Sequence, residues 1–167
     1  PNGRQWSAAI GVGRSYAYGD YSITPSLRLG YIWVKNDAFA ETEPIDGLAL
    51  AVNERTIRSL QSSLGVRFST TVNTAMAVFG PYFNAQWLHE FENDSPSIVS
   101  KYVSGPAGPV NQFVIPTASP TRDYAILAVG SSATFPNNLT GFAQFTAALG
   151  LDNETNYGVV VGLRKQF

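Results

Sequence analysis

The sequence has no cysteine and only one histidine, His89, among its 167 residues. Without cysteine there are no disulfides, thiolate metal sites or cysteine nucleophiles. Basic and acidic residues number 11 and 12, so the overall charge gives no field for binding nucleic acid or an anionic surface. We therefore expect no nucleic-acid partner and no cofactor.

The sequence also lacks a long hydrophobic run. No window approaches the roughly 20 apolar residues that a helix needs to cross a bilayer. No signal peptide is visible, so we expect a mature protein or a fragment, with residues 1–167 forming one domain.

Aromatic residues make up 13% of the chain, which also has 15 glycines, a composition typical of β-proteins. Apolar and other residues alternate with a period of two, as strand side chains do, in segments long enough to cross a bilayer as tilted strands. We predict seven such strands, at residues 6–16, 21–34, 57–70, 81–91, 123–135, 139–151 and 157–167.

The alternation gives each predicted strand an apolar face, represented by Leu29, Val66, Trp87 and Phe145. The opposite face carries the polar residues Arg28, Gln61, Arg67, Asn84, Gln86, Glu90, Gln144 and Arg164. A soluble sandwich alternates in the same way, so the pattern alone does not say which face is inside. In a transmembrane barrel the polar residues would line the lumen.

Glycine, loop length and aromatic placement favour the barrel. Eight of the nine glycines in these segments lie on the polar face, where small residues make room for large neighbours. Short turns at AYGD, VNT and PNN alternate with long loops at residues 36–53 and 92–122, as in outer-membrane barrels, although the short DNET connection is an exception. Aromatic residues gather at both ends of the apolar face, as in interfacial girdles.

The last segment, NYGVVVGLRKQF, places Tyr157, Val159, Val161, Leu163 and Phe167 on the apolar face. It resembles the terminal strand that outer-membrane proteins present to the barrel-assembly machinery, although Lys165 stands where an apolar residue is preferred.

Five stretches, in order, resemble the C-terminal part of an autotransporter β-domain, the translocator of type V secretion. They are SITPSLRLGYIWV, RSLQSSLGVRFST, PYFNAQWLHEF, RDYAILAVGSSATF and LTGFAQFTAALGLDNETNYGVVVGLRKQF. The resemblance implies an all-β, antiparallel transmembrane barrel in the Gram-negative outer membrane. It further implies contact with membrane lipid and with the assembly machinery, and export of an N-terminal passenger past a linker helix in the lumen.

Barrels of this family resemble cylinders of about twelve strands, whereas the sequence predicts seven. With seven antiparallel strands the first and last run the same way, and such a pair cannot close an antiparallel barrel. A hairpin within residues 97–116 would add two strands and leave the mismatch. We therefore expect the chain to lack the N-terminal strands, the passenger and the linker. If it is whole, it would have to close with another chain or form an open sheet.

Catalytic and metal sites are not expected. His89 and Ser62 share the apolar face, but hydrolysis needs a positioned serine and a third polar group. Asp46, Glu54, Glu92 and Asp94 provide too few ligands at a recognisable spacing for calcium or zinc. The alternative to a translocator is a structural or adhesive outer-membrane barrel whose long loops bind ligands.

Overall fold

The computed structural model describes residues 2–42, 49–92, 95–105, 108, 111–136, 138–152 and 154–165. These residues form antiparallel β-sheets, as predicted. None of them forms a helix long and apolar enough to cross a membrane. In chain order the strands are β1 (Gly3–Gly13), β2 (Tyr16–Tyr18), β3 (Tyr21–Asn36), β4 (Phe39–Ala40), β5 (Leu50–Val52), β6 (Arg55–Thr70), β7 (Val72–Asn73), β8 (Val78–Glu90), β9 (Ile98–Tyr102), β10 (Gln112–Ile115), β11 (Asp123–Phe135), β12 (Leu139–Leu149) and β13 (Asn156–Lys165).

The seven predicted strands are the seven long strands of one sheet, in the order β1-β3-β6-β8-β11-β12-β13. The prediction of seven is therefore confirmed, with ends that differ by a few residues. The largest difference is at β1, which begins and ends three residues earlier than predicted, because Arg14 and Ser15 interrupt the strand before β2. Since each pair in this order is antiparallel, β1 and β13 run in the same direction at its two ends.

Turn residues explain the short connections. Gly19, in the turn between β2 and β3, has a φ of 61°, and Asn138, between β11 and β12, has a φ of 58°. Glycine and asparagine are the residues that adopt this left-handed conformation most readily. The turn after β7 is closed by Thr74, whose amide and hydroxyl both donate to the carbonyl of Ala77.

The long loops form a second sheet, which has four strands in the order β10-β9-β5-β4. A hairpin within residues 97–116, which the sequence left open, is observed as β9 and β10, with Phe113 opposite Ser100. It belongs to this second sheet and adds no strand to the seven. The pairing of β5 with β9, which joins the two loops, was missed. Each of its strands has five residues or fewer, too short for a period of two to stand out.

The chain forms two compact units. The first comprises Pro1–Ala9, Gly30–Leu60 and Phe91–Pro120 and contains the four-stranded sheet. The second comprises Ile10–Leu29, Gln61–Glu90 and Thr121–Phe167 and contains β11, β12 and β13 in full. Few apolar side chains are buried in the part of the chain that the structure describes, so neither unit has the core of a soluble domain. The buried ones are Ala49, Ala77, Leu88 and Ala128.

Candidate functional site

On β8 the two faces of the sheet differ in exposure. Trp87 and Leu88 are adjacent on β8, yet Trp87 is 50% exposed and Leu88 is 7% exposed. The residues of the predicted apolar face are exposed along the other strands as well. They include Ile10, Leu29, Leu64, Phe68, Phe83, Val129, Phe145 and Val161. These large apolar side chains therefore do not form a closed interior.

On the opposite face, Tyr82 of β8 connects residues of three strands. The ring of Tyr82 lies 4.1 Å from the guanidinium carbon of Arg67, within the range of a cation–π interaction. Its hydroxyl donates to Gln144 Oε1 at 2.5 Å, and Gln144 Nε2 donates to Thr146 Oγ1 at 2.9 Å. Two of the residues predicted to line the lumen, Arg67 and Gln144, are thus linked through a tyrosine that sequence reasoning did not select.

Glycines on this face leave the space that the aromatic rings occupy. A Cβ added to Gly130 would lie 2.7 Å from the ring of Tyr82 and 2.8 Å from the carbonyl oxygen of Ala143. A Cβ added to Gly162 would overlap the ring of Phe142. At these two positions, the expected use of glycine to make room for large neighbours is observed.

The remaining predicted lumen residues share this face. Gln61 and Glu90 are cross-strand partners, Gln61 Nε2 donates to the hydroxyl of Tyr124 at 3.2 Å, and Glu90 is only 3% exposed. Asn84 is the cross-strand partner of Arg67, Gln86 of Gly65, and Arg164 of Thr140. Arg28 lies beside Gly11. Their assignment to a lumen remains a prediction.

The polar face also contains apolar and aromatic residues, which the sequence analysis missed. They are Tyr82, Leu88, Tyr124, Ile126, Phe142 and Val160. Their position in the two-residue alternation places them there, although only polar residues and glycines were predicted on that face. The face therefore combines hydrogen-bonding groups with a substantial apolar surface.

Strand β13 contains four of the five residues of the predicted assembly signal. Tyr157, Val159, Val161 and Leu163 are all exposed and lie on the same face as Phe145, the cross-strand partner of Val159. Lys165 ends the strand, opposite Leu139. Phe167 lies outside the described residues, so its placement stays a prediction.

Aromatic pairs occur on the apolar face near the long loops. The rings of Trp6 and Tyr31 are 5.0 Å apart in the first unit. In the second unit the rings of Trp87 and His89 are 6.0 Å apart. Trp6, Tyr31 and Trp87 belong to the aromatic residues predicted to gather at the long-loop end of the apolar face, and His89 lies next to Trp87 on that face.

His89 has the acidic neighbour that the sequence did not reveal. Its Nδ1 lies 2.7 Å from Asp123 Oδ1, and Ser62 is its cross-strand partner on the other side. Three residue types found in serine hydrolases thus occupy adjacent strands. Among the described residues, however, Ser62 makes no hydrogen bond to the imidazole, a contact that an activated serine needs.

No group of three or more potential metal ligands occurs within the described ranges. Glu54 instead forms an ion pair with Lys35, with 3.1 Å between Nζ and Oε2. Asp46 and Asp94 fall outside those ranges, so the expectation that they hold no metal stays a prediction.

Comparison with known families gives one result. A model of the autotransporter β-domain family matches residues 1–146, which include every strand from β1 to β11 and most of β12. The match ends before β13, whose place in the sheet is instead given by its pairing with β12. No curated protein matches the sequence.

Proposed function

The chain belongs to the autotransporter β-domain family, and from this premise we propose that it inserts in the outer membrane through its C-terminal strand and supports export of an N-terminal passenger. The family consists of outer-membrane translocator barrels of type V secretion, which are not catalytic domains. What is proposed for this chain is the route of insertion, the surfaces that contact lipid and the passage of a polypeptide.

The observation that supports the proposal best is the contrast between the two faces of the same strands. A face of exposed apolar side chains suits hydrocarbon, since lipid-facing residues of a barrel are apolar while lumen residues are polar. The opposite face has the hydrogen bonds of Tyr82, Gln144 and Thr146. The strands between β1 and β13 in the sheet order have a neighbour on each side, so their backbone groups can be paired as a segment in lipid requires.

The mixed character of the polar face suits a passing or resident polypeptide. A linker helix presents both apolar and polar side chains, and the face offers Leu88 and Ile126 beside Arg67 and Gln144. We therefore assign the eight predicted polar residues to the lumen, where they contact the linker and the passenger.

Insertion is assigned to β13. This strand lies at one end of the sheet order, so one of its edges is open to pair with another strand. Its apolar face carries the aromatic and aliphatic side chains that a barrel-assembly machine would recognise, from Tyr157 to Leu163.

The proposal is tested by placing a folded reporter on the N-terminal side of the protein and following it in cells. Export predicts that the reporter is cleaved by protease added outside intact cells and that the barrel is heat-modifiable. A reporter that stays protected while the barrel is folded in the outer membrane would contradict export and leave membrane insertion intact.

The second sheet favours one other candidate function, ligand binding by the long loops. A cavity of about 630 Å³ lies in the first unit, where Phe39, Val52 and Ile98 provide an apolar lining and Asn36 and Asn53 provide amides. Replacing residues 39–52 with a short glycine-rich turn separates the two functions. Loss of binding to a surface without loss of export would assign binding to the loops.

A further inference from the structure

Three cationic residues of the first unit share one face of their strands, although the whole chain has a net charge of −1. Arg4 of β1, Lys35 of β3 and Arg58 of β6 occupy three neighbouring strands. In the two-residue alternation, each belongs to the apolar face, with Trp6, Trp33 and Leu60 two residues away. Cations on that face of a membrane barrel need a specific reason.

The register of β1 and β3 brings two of these charges together. Backbone hydrogen bonds join Asp37 to Asn2 at one end and Arg14 to Pro25 at the other. In an antiparallel pair the numbers of opposite residues have a constant sum as long as no residue is inserted in either strand. The sum is 39 in both bonds, so the register is the same from one end of the pair to the other. Arg4 therefore lies opposite Lys35, and like charges directly opposite each other destabilise a sheet unless something neutralises them.

Only one of the three cations has its charge neutralised within the described residues. Lys35 pairs with Glu54 at 3.1 Å. Arg4 and Arg58 are exposed and form no ion pair there. The patch therefore keeps at least two guanidinium groups available to an external anion.

Arg58 also lines a cavity of about 470 Å³, whose other lining residues are Thr56, Glu92, Ser95, Pro96 and Ser119. One wall is fixed because Thr117 Oγ1 donates to the carbonyl oxygens of Ser95 and Pro96, each at 3.3 Å. The polar groups that line the cavity are thus a guanidinium, three hydroxyls and a carboxylate. Guanidinium binds phosphate through its planar fork, while hydroxyls and a carboxylate suit the hydroxyl groups of a sugar.

The depth of this cluster matches a lipid headgroup. Trp6 lies two residues from Arg4 along β1, and the centre of its ring is 5.0 Å from that of Tyr31. Tryptophan and tyrosine concentrate at the headgroup level of membrane proteins. Cations placed at or just beyond these rings lie where lipid phosphates are found.

We propose that Arg58 and its cavity, together with Arg4 and Lys35, bind the phosphorylated headgroup of an outer-leaflet glycolipid. The inference rests on the proposed function in one respect, because it takes the apolar face as the lipid-facing one. It adds to that function a specific lipid partner held at the side of the barrel.

The experiment uses the protein isolated from the outer membrane in nonionic detergent, with bound phosphorylated glycolipid quantified per folded chain by native mass spectrometry. The Arg58→Gln variant is expected to retain about fivefold less glycolipid than the unsubstituted protein, since one cation near a membrane surface changes lipid binding by about that factor. Arg58→Lys keeps the charge and loses the planar fork, so we expect it to retain an amount of glycolipid between those of Arg58→Gln and the unsubstituted protein.

Arg55→Gln is the matched control, because Arg55 is an arginine three residues earlier on β6 and on the opposite face. Equal retention by the Arg55 and Arg58 variants would overturn the site. Two further arms identify the ligand: glycolipid stripped of its phosphates should bind poorly, and inorganic phosphate should not displace the intact lipid. Displacement by inorganic phosphate at similar concentrations would show a free-phosphate site and overturn the lipid assignment.

The inference and the proposed function fail separately. A heat-modifiable barrel that exports its reporter but retains no glycolipid would refute only the lipid site. A chain that never reaches the membrane would refute the proposed function.

Discussion

The guanidinium of Arg67 on β6 stacks over the ring of Tyr82 on β8, 4.1 Å from the ring centre to the guanidinium carbon. The same tyrosine donates to Gln144 on β12. One side chain thus connects three strands across the polar face. Substitutions can separate what its hydroxyl and its ring each contribute to the stability of the barrel.

Tyr82→Phe removes the hydrogen bond to Gln144 and keeps the ring, so we expect a loss of about 1 kcal/mol in unfolding free energy. Tyr82→Leu also removes the ring beneath Arg67, and we expect a further loss of about 0.5–1 kcal/mol. Urea unfolding of the detergent-solubilised barrel measures both. Tyr18→Phe is the control, since the Tyr18 hydroxyl makes no hydrogen bond in the described part of the chain. A Tyr82→Phe variant as stable as this control would show that the network contributes nothing.

Gly130→Ala is expected to destabilise the folded barrel by about 1–3 kcal/mol, the usual cost of forcing extra volume into a packed site. The added methyl would meet both the Tyr82 ring and a backbone oxygen, which cannot move independently of the sheet. Gly158→Ala is the matched control, because a Cβ there would meet nothing within 4 Å. The fraction of heat-modifiable protein compares the two, and equal fractions would refute the close packing.

Ser62 is expected to be unreactive despite its position beside His89 and Asp123. A fluorophosphonate probe, which labels activated serines, should not label the folded protein. Ser62→Ala should leave export of the reporter unchanged. Labelling that disappears in Ser62→Ala would contradict this prediction and would reveal a hydrolase.

Removing Phe167 is expected to slow barrel assembly, because the residue completes the apolar series that begins at Tyr157. Replacing Lys165 with leucine should speed assembly, since this position favours an apolar residue in the signal that β13 resembles. Pulse-chase labelling followed by heat-modifiability measures both rates. Unchanged rates would show that neither end residue contributes to recognition by the assembly machinery.

Much of the fold could be predicted because a strand period of two is a strong signal when it continues for ten or more residues. The seven long strands were predicted in this way, whereas a hairpin at residues 97–116 was only an option that the sequence left open. Strands β4 and β5 were not, since two- and three-residue strands carry no measurable period.

The candidate site was predicted by side-chain type and therefore incompletely. Arg67 and Gln144 were selected because they are polar, whereas Tyr82, which connects them, was not. The approach of Asp123 to His89 could not be read from the sequence either, because it depends on the pairing of β8 with β11 across 34 residues. Only the register of the sheet makes such partners visible.

The central claim is that one face of these strands contacts lipid and the other does not, and two adjacent valines of β13 test it directly. Val161 is the cross-strand partner of Ala143 on the apolar face, while Val160 is the partner of Gln144 on the polar face. A charge on the lipid-facing side is costly near mid-membrane, and one facing a watery lumen costs far less. The measurement is the amount of heat-modifiable barrel in the outer membrane for Val161→Asp and Val160→Asp. The account predicts a severe loss for Val161→Asp and near-normal levels for Val160→Asp, whereas equal tolerance, or the reverse order, would contradict it.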